Sequence, residues 1–215
     1  NDYEKDSQHS MSLSLMHCEY SDKKINIIDA PGYIDFQGEM RSALHVADNA
    51  MIVINSSNGV EMGSELANEY AQSGIHKTRS YVINMVDNAQ SNFDNSLEQI
   101  KSRFGRSVFP FLLPLSEGDG FNQVADVLRK KILTFKNDGS YDESDCSGEI
   151  ADRVDSLYEE LIELIAESDE KLLENYFENG ELSDDEMKGG LTKAIFDGSI
   201  CPVFCSSGLK SLILT

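Results

Sequence analysis

Apolar residues concentrate in three short runs: INIID at 25–29, AMIVIN at 50–55 and SYVIN at 80–84. Each is rich in Ile and Val and is followed by a polar or glycine-containing turn, the pattern of a buried strand. Between the runs the spacing becomes helical. Glu39 to Asp48 carries Met40, Ala43, Leu44 and Ala47 on one face, and Glu61 to Ser73 stops at Gly74. Strands alternating with helices of this length predict an α/β fold, a mostly parallel sheet with helices on both faces. Upstream, MSLSLMHCEY alternates before a charged turn and predicts an antiparallel hairpin with INIID.

The regularity changes after Phe104. VFPFLLPL is strand-like with two prolines, SEGDG is a turn, and FNQVADVLRKKIL is amphipathic and short. KNDGSYDESDCSGE is poor in apolar residues and reads as a surface loop or poorly ordered segment. A long helix follows, with Ile150, Val154, Leu157, Leu161, Leu164 and Ile165 along one stripe. A shorter helix carries Leu172, Leu173, Tyr176 and Phe177. Ser183 to Glu186 is a capping box, with Leu182 and Met187 placed to form a hydrophobic staple. ICPVFCSS then reads as a buried strand running into a turn. The expected organisation is a core over 1–104, an inserted, acidic α+β subdomain over 105–180, and a return to the core over 181–215.

Charge adds a constraint. The formal net charge is -20, and nineteen Asp and Glu fall between Asp138 and Met187 against only Arg153 and Lys171. Such a surface repels phosphate backbones and argues against direct nucleic-acid binding. It admits two readings: solvated helix faces or docking to a basic partner. The longest apolar runs are too short to span a bilayer, and no charged-then-apolar leader opens the chain. Four cysteines without C-x-x-C or zinc-like spacing suit free thiols in a reducing cytosol.

In an open parallel sheet, ligands bind beyond the carboxyl ends of the strands. Asp29, Asn55, Asn84 and Ser206 all fall at such ends. After Asp29 the chain reads Ala30-Pro31-Gly32-Tyr33. A carboxylate leaving a strand can hold a hydrated Mg²⁺, and the N–H of a residue without a side chain can approach a phosphate oxygen closely. Taken alone, this motif is most simply an acidic turn. Asn84-Met85-Val86-Asp87 changes that weighing, because it is close to the N-K-x-D pattern that reads guanine. An Asp accepts from the ring N–H and amino group of guanine, a donor pair that adenine lacks. Ser206-Ser207-Gly208-Leu209-Lys210 sits where a loop would present backbone N–H groups to the base.

In these motifs the chain resembles the GTP-binding domain of elongation factor G, and more closely its paralogous, second-type members. INIIDAPGYIDFQGEMRSALHVADNAMIVINSSNGVE is similar to that family's second switch, following helix and next strand. SMSLSL is similar to the end of the first switch, and LLPLSEGDGFNQVADVL to the start of the family's extra subdomain. The resemblance implies a P-loop GTPase-type fold that binds GTP or GDP with Mg²⁺. It implies that Asp29 contacts Mg²⁺ through water, that Ser12 ligates it in the GTP state, and that Gly32 senses the γ-phosphate. It makes Asn84, Met85 and Asp87 the base readers and Ser207, Gly208 and Leu209 the loop over the base oxygen. It also implies a cytoplasmic, monomeric protein working on the ribosome, with the acidic insertion facing stalk proteins.

Several positions depart from the family. Tyr33 stands where translational GTPases usually carry the His that orients the attacking water, so Tyr33 is the candidate catalytic residue. Its neutral phenol offers no imidazolium charge, although its hydroxyl can still position water. Met85 replaces the motif's Lys, His9-Ser10 replaces Arg-Gly, and Gly208 replaces Ala. No G-x-x-x-x-G-K-[ST] run occurs. Two explanations compete, a truncated chain that lacks the first strand and P-loop and a degenerate protein; the expectation is truncation, with the missing strand lying between 25–29 and 50–55. Alone, such a chain is expected to bind GTP weakly and not to turn it over.

Overall fold

A computed structural model describes residues 2–7, 9–74, 78–136 and 138–210. The 211–215 end of the segment expected to return to the core therefore lies outside the described residues. A short helix α1 (Asp2–Ser7) leads into strands β1 (Ser14–Tyr20) and β2 (Lys23–Asp29), the predicted hairpin. Its two-residue turn holds Ser21 and Asp22 at φ 48° and 60°, the backbone that a tight hairpin's right-handed twist demands.

INIID is not a buried strand. β1 and β2 form a two-stranded sheet of their own, joined by no third strand among the described residues. Ile25 and Ile27 are 44% and 43% exposed. Apolar composition marks a strand but does not say what covers it.

The parallel sheet holds β3 (Ala50–Asn55), β4 (Arg79–Asn84), β5 (Val108–Pro110) and β10 (Cys201–Cys205), in the order β3-β4-β10-β5. β4 and β10 lie inside the sheet and are almost continuously buried, as central parallel strands must be. β3 is at the edge and alternates, with Ala50, Ile52 and Ile54 buried and Met51 and Val53 outward. Helix α2 (Gln37–Val46) leads from the hairpin into β3 and packs on α3 (Met62–Ser73); α3 and α4 (Phe93–Phe104) make the connections β3–β4 and β4–β5 and pack against those strands. Asn92 caps α4 by accepting the Asn95 N–H at 3.0 Å, and Phe93, Leu97 and Ile100 are buried. The Tyr81 hydroxyl donates to Asn68 Oδ1 at 2.7 Å and ties β4 to α3.

VFPFLLPL divides at Phe111. Its first half is β5, whereas its second half, β6 (Leu112–Pro114), opens an antiparallel sheet with β7 (Gln123–Asp126), β8 (Lys131–Phe135) and β9 (Tyr141–Asp145). β9 corrects the expected loop over 136–149. The backbone ladder to β8 and the contact of the Tyr141 and Phe135 rings, with centroids 5.9 Å apart, hold it; exposed ion pairs flank them, Lys136 to Asp142 at 2.6 Å and Lys131 to Asp145 at 2.5 Å. Arg129 adds a contact to Glu143 at 3.2 Å. Charged side chains on an edge strand also discourage further strand addition.

α5 (Glu149–Glu167), α6 (Glu170–Asn179) and α7 (Asp184–Asp197) complete the chain before β10. α5 buries Val154, Leu161 and Ile165 along the expected stripe. The apolar residues of α6 are not fully buried, and Phe177 is exposed. α7 starts as predicted: Glu186 accepts the Ser183 N–H at 2.9 Å and its hydroxyl at 2.6 Å. One apolar core runs through both sheets and joins Ile52, Ile83 and Val203 to Val124, Leu133 and Leu161. The cysteines are free thiols, and no described helix is long and apolar enough to cross a membrane.

Candidate nucleotide site

β4 ends at Asn84, and the next residue reverses the chain. Met85 takes φ 63°, a left-handed conformation that costs a residue with a side chain roughly 1–2 kcal/mol. Neighbouring loops hold this kink in place. The Ser56 hydroxyl donates to the Met85 carbonyl at 2.8 Å, and the Val86 N–H donates to the Ser206 carbonyl at 3.2 Å. The Gly118 N–H donates to the Val86 carbonyl at 2.8 Å. The bend turns Asp87 into a hollow of about 500 Å³ beyond the sheet.

Asn84, Met85, Asp87, Gly208 and Leu209 line this hollow together, so five of the expected base-binding residues share one cavity. Asn84 joins two loops: its Oδ1 accepts the Ser206 hydroxyl at 3.0 Å and the Gly208 N–H at 3.1 Å. Ser207 does not line the hollow. It is fully buried, and its Oγ accepts the Lys210 N–H at 3.1 Å, which makes it a shaper of the loop.

Asn88, Ala89 and Asp119 also line the hollow and were not anticipated. Asp119 belongs to the SEGDG turn, read from the sequence only as a turn. Lys210 brings that turn in, its ammonium donating to the Asp119 and Phe121 carbonyls. A cation following the loop serines was the available signal. Among the described residues the hollow is lined by two acidic residues and by no cationic one. An acceptor-rich wall repels phosphates and suits a group that offers N–H donors, as the edge of a guanine base does.

The remaining predicted residues do not line the hollow; they fall just before β1 and from the end of β2 into the turn that follows. The hairpin register pairs Ser14 with Asp29, so Ser12, two residues earlier, lies toward the same end. The Ser12 hydroxyl donates to the Glu4 carboxylate at 3.2 Å. Glu4 also accepts the Met11 and Ser12 N–H groups, and these bonds hold its carboxyl below the usual range. Gly32 touches α3: a Cβ on Gly63 would come within 2.8 Å of the Gly32 carbonyl oxygen. Nothing lies within 4 Å of where a Cβ on Gly32 itself would sit, so packing alone does not require glycine there. The Tyr33 ring is 56% exposed and lies 4.5 Å from the His9 ring.

As donors, a carboxylate at Asp29 and a hydroxyl at Ser12 suit a hard cation that keeps most of its waters. No group of three or more His, Cys, Asp or Glu suited to a metal occurs among the described residues. A hydrated Mg²⁺ completed by phosphate oxygens does not need one.

Residues 1–215 match the family described as "Elongation factor Tu GTP binding domain". The chain belongs to that family. This elongation factor Tu-type domain is therefore a GTP-binding domain of the translational GTPase kind. A crystal structure of a protein from Thermus thermophilus matches it with a TM-score of 0.88 at 29% identity. The match covers 98% of this chain and 31% of that one, so the domain spans under a third of that protein's length.

Proposed function

We propose that the chain is the guanine-nucleotide-binding domain of a second-type, elongation factor G-like GTPase that acts on the ribosome in the cytoplasm. The observation that carries this reading is the acceptor-lined hollow where Asn84, Asp87 and the 206–209 loop meet. In it, Asp87 accepts from the ring N–H and amino group of guanine. Asn84 keeps the 206–209 loop closed by accepting the Gly208 N–H, and the loop as a whole lies over the base oxygen.

Hydrolysis in the whole protein is assigned to Tyr33, Asp29 and Ser12. Tyr33 directs its hydroxyl to a water, which attacks the γ-phosphorus in line; the new P–O bond forms as the bond to the bridging oxygen breaks, leaving GDP and phosphate. Asp29, through water, and Ser12 would hold Mg²⁺, which when bound spreads the developing phosphate charge. Residues outside the motifs present here supply the phosphate cradle, so the 215 residues alone bind weakly and do not turn over. In this account the hydrolysis drives translocation. The acidic segment within 105–180 is offered to the stalk proteins, and the protein works as a monomer.

A second reading rests on Tyr33 and Met85, which replace a catalytic imidazole and the motif's lysine charge: a pseudo-GTPase that occupies the ribosomal factor site with little hydrolysis. Single-turnover phosphate release by the whole protein with ribosomes separates the two. Release at saturating GTP supports the first, and its absence supports the second.

A further inference from the structure

Tyr33 is well exposed, and its side chain caps no helix. Left free, such a phenol would sweep a wide arc, and a hydroxyl that must orient a water cannot do so. The ring nearest it belongs to residue 9. The His9 and Tyr33 ring centroids are 4.5 Å apart with the planes tilted by 45°, within the range of favourable aromatic pairs.

The segment that carries His9 is itself pinned. Glu4 accepts the Met11 N–H at 2.9 Å, and Glu39 accepts the Leu13 N–H at 3.1 Å. Glu39 lies in the first turn of α2, the helix that the Tyr33 turn enters through Ile34–Phe36. A polar tie and an aromatic tie thus join the same two segments, one beside the helix start and one at the candidate catalytic ring. His9 is half-buried, so it offers Tyr33 a surface less mobile than the phenol itself.

The geometry points to His9 as the positioning residue for Tyr33: its imidazole fixes the phenol ring and with it the direction of the hydroxyl. The inference rests on the hydrolytic reading above. It divides between two residues a task that one side chain performs elsewhere in the family: residue 33 supplies the hydroxyl, and the ring of residue 9 holds it in place.

The test is a double-mutant cycle in the whole protein with ribosomes, reading kcat and KM for GTP separately. His9→Ala is expected to lower kcat about two- to tenfold, the rate equivalent of one aromatic pair, with KM unchanged. His9→Phe, which keeps a ring, is expected to restore most of that loss. In a Tyr33→Ala background, His9→Ala is expected to cost nothing further. A rise in KM with kcat unchanged, no rescue by Phe, or an equal loss in the Tyr33→Ala background overturns the inference while leaving the hydrolytic reading in place. No phosphate release by the unaltered protein overturns the hydrolytic reading itself. Independently of turnover, NMR of the labelled chain is expected to give a His9–Tyr33 ring cross-peak; its absence also overturns the inference.

Discussion

The backbone N–H of Gly208 donates to the side-chain oxygen of Asn84 at 3.1 Å, across 124 positions of sequence. The Ser206 hydroxyl donates to that oxygen as well, so one amide closes the loop over the hollow. Asn84→Ala removes the acceptor and leaves a buried hydroxyl without its partner. We expect a loss of about 1–3 kcal/mol in stability and broadened amide resonances over 206–210. Urea unfolding and a proton–nitrogen correlation spectrum measure the two effects.

Gly208 needs no special backbone, and a Cβ there would sit 3.8 Å from Asn84 Nδ2, an ordinary contact. Gly208→Ala, the residue usual in the family, therefore fits as it stands. We expect stabilisation of about 0.4–1 kcal/mol through the unfolded state, read as a raised Tm with unchanged loop shifts. A lowered Tm would mean that the loop is tighter than its geometry implies.

Gly63 behaves oppositely. Its added Cβ would meet the Gly32 carbonyl oxygen at 2.8 Å, and a backbone atom cannot rotate aside. Gly63→Ala is expected to displace the Asp29–Tyr33 turn from α3 and to cost about 1–3 kcal/mol, as overpacking does. Chemical-shift changes at Gly32 and Tyr33, with none in the 206–209 loop, would locate the effect.

Glu186 reports on the α7 start. Its carboxyl is held below the ordinary value of 4.5 by the Ser183 hydroxyl first, then by the Ser183 N–H and Asn175. A group with a depressed folded pKa stabilises fully above its unfolded pKa and loses that contribution as pH falls through the folded value. Glu186→Gln should therefore be less stable than the parent at neutral pH, and the gap should close below pH 4.5. Thermal unfolding across that window, at constant salt, checks the sign.

The parallel strands were legible because central strands of such a sheet are apolar along most of their length, as β4 and β10 are. The hairpin turn and the α7 cap were legible because their side chains act on their own backbone. β9 was hidden because backbone pairing to β8 and a single aromatic, Tyr141 against Phe135, hold it, and neither makes an apolar pattern. The exposure of INIID was hidden because hydropathy marks a strand and does not report its neighbours. At the site, Asn84, Asp87 and Gly208 were legible from spacing after strand ends. Asp119 was not, since it reaches the hollow through Lys210, 91 positions away, and that cation after the loop serines was its one faint signal in the sequence. The burial of Ser207, which turns an expected base contact into a loop support, was invisible because tertiary packing leaves no local pattern.

We propose that the hollow beyond β4 distinguishes guanine from adenine through Asp87. Titrating the nitrogen-15-labelled chain with millimolar GDP and ADP, with and without Asp87→Ala, tests it most directly. GDP is expected to shift the amides of 84–89 and 206–209, ADP is expected to leave them in place, and the substitution is expected to abolish the GDP response. Equal responses to both nucleotides, or a GDP response that survives loss of the Asp87 carboxylate, would contradict it.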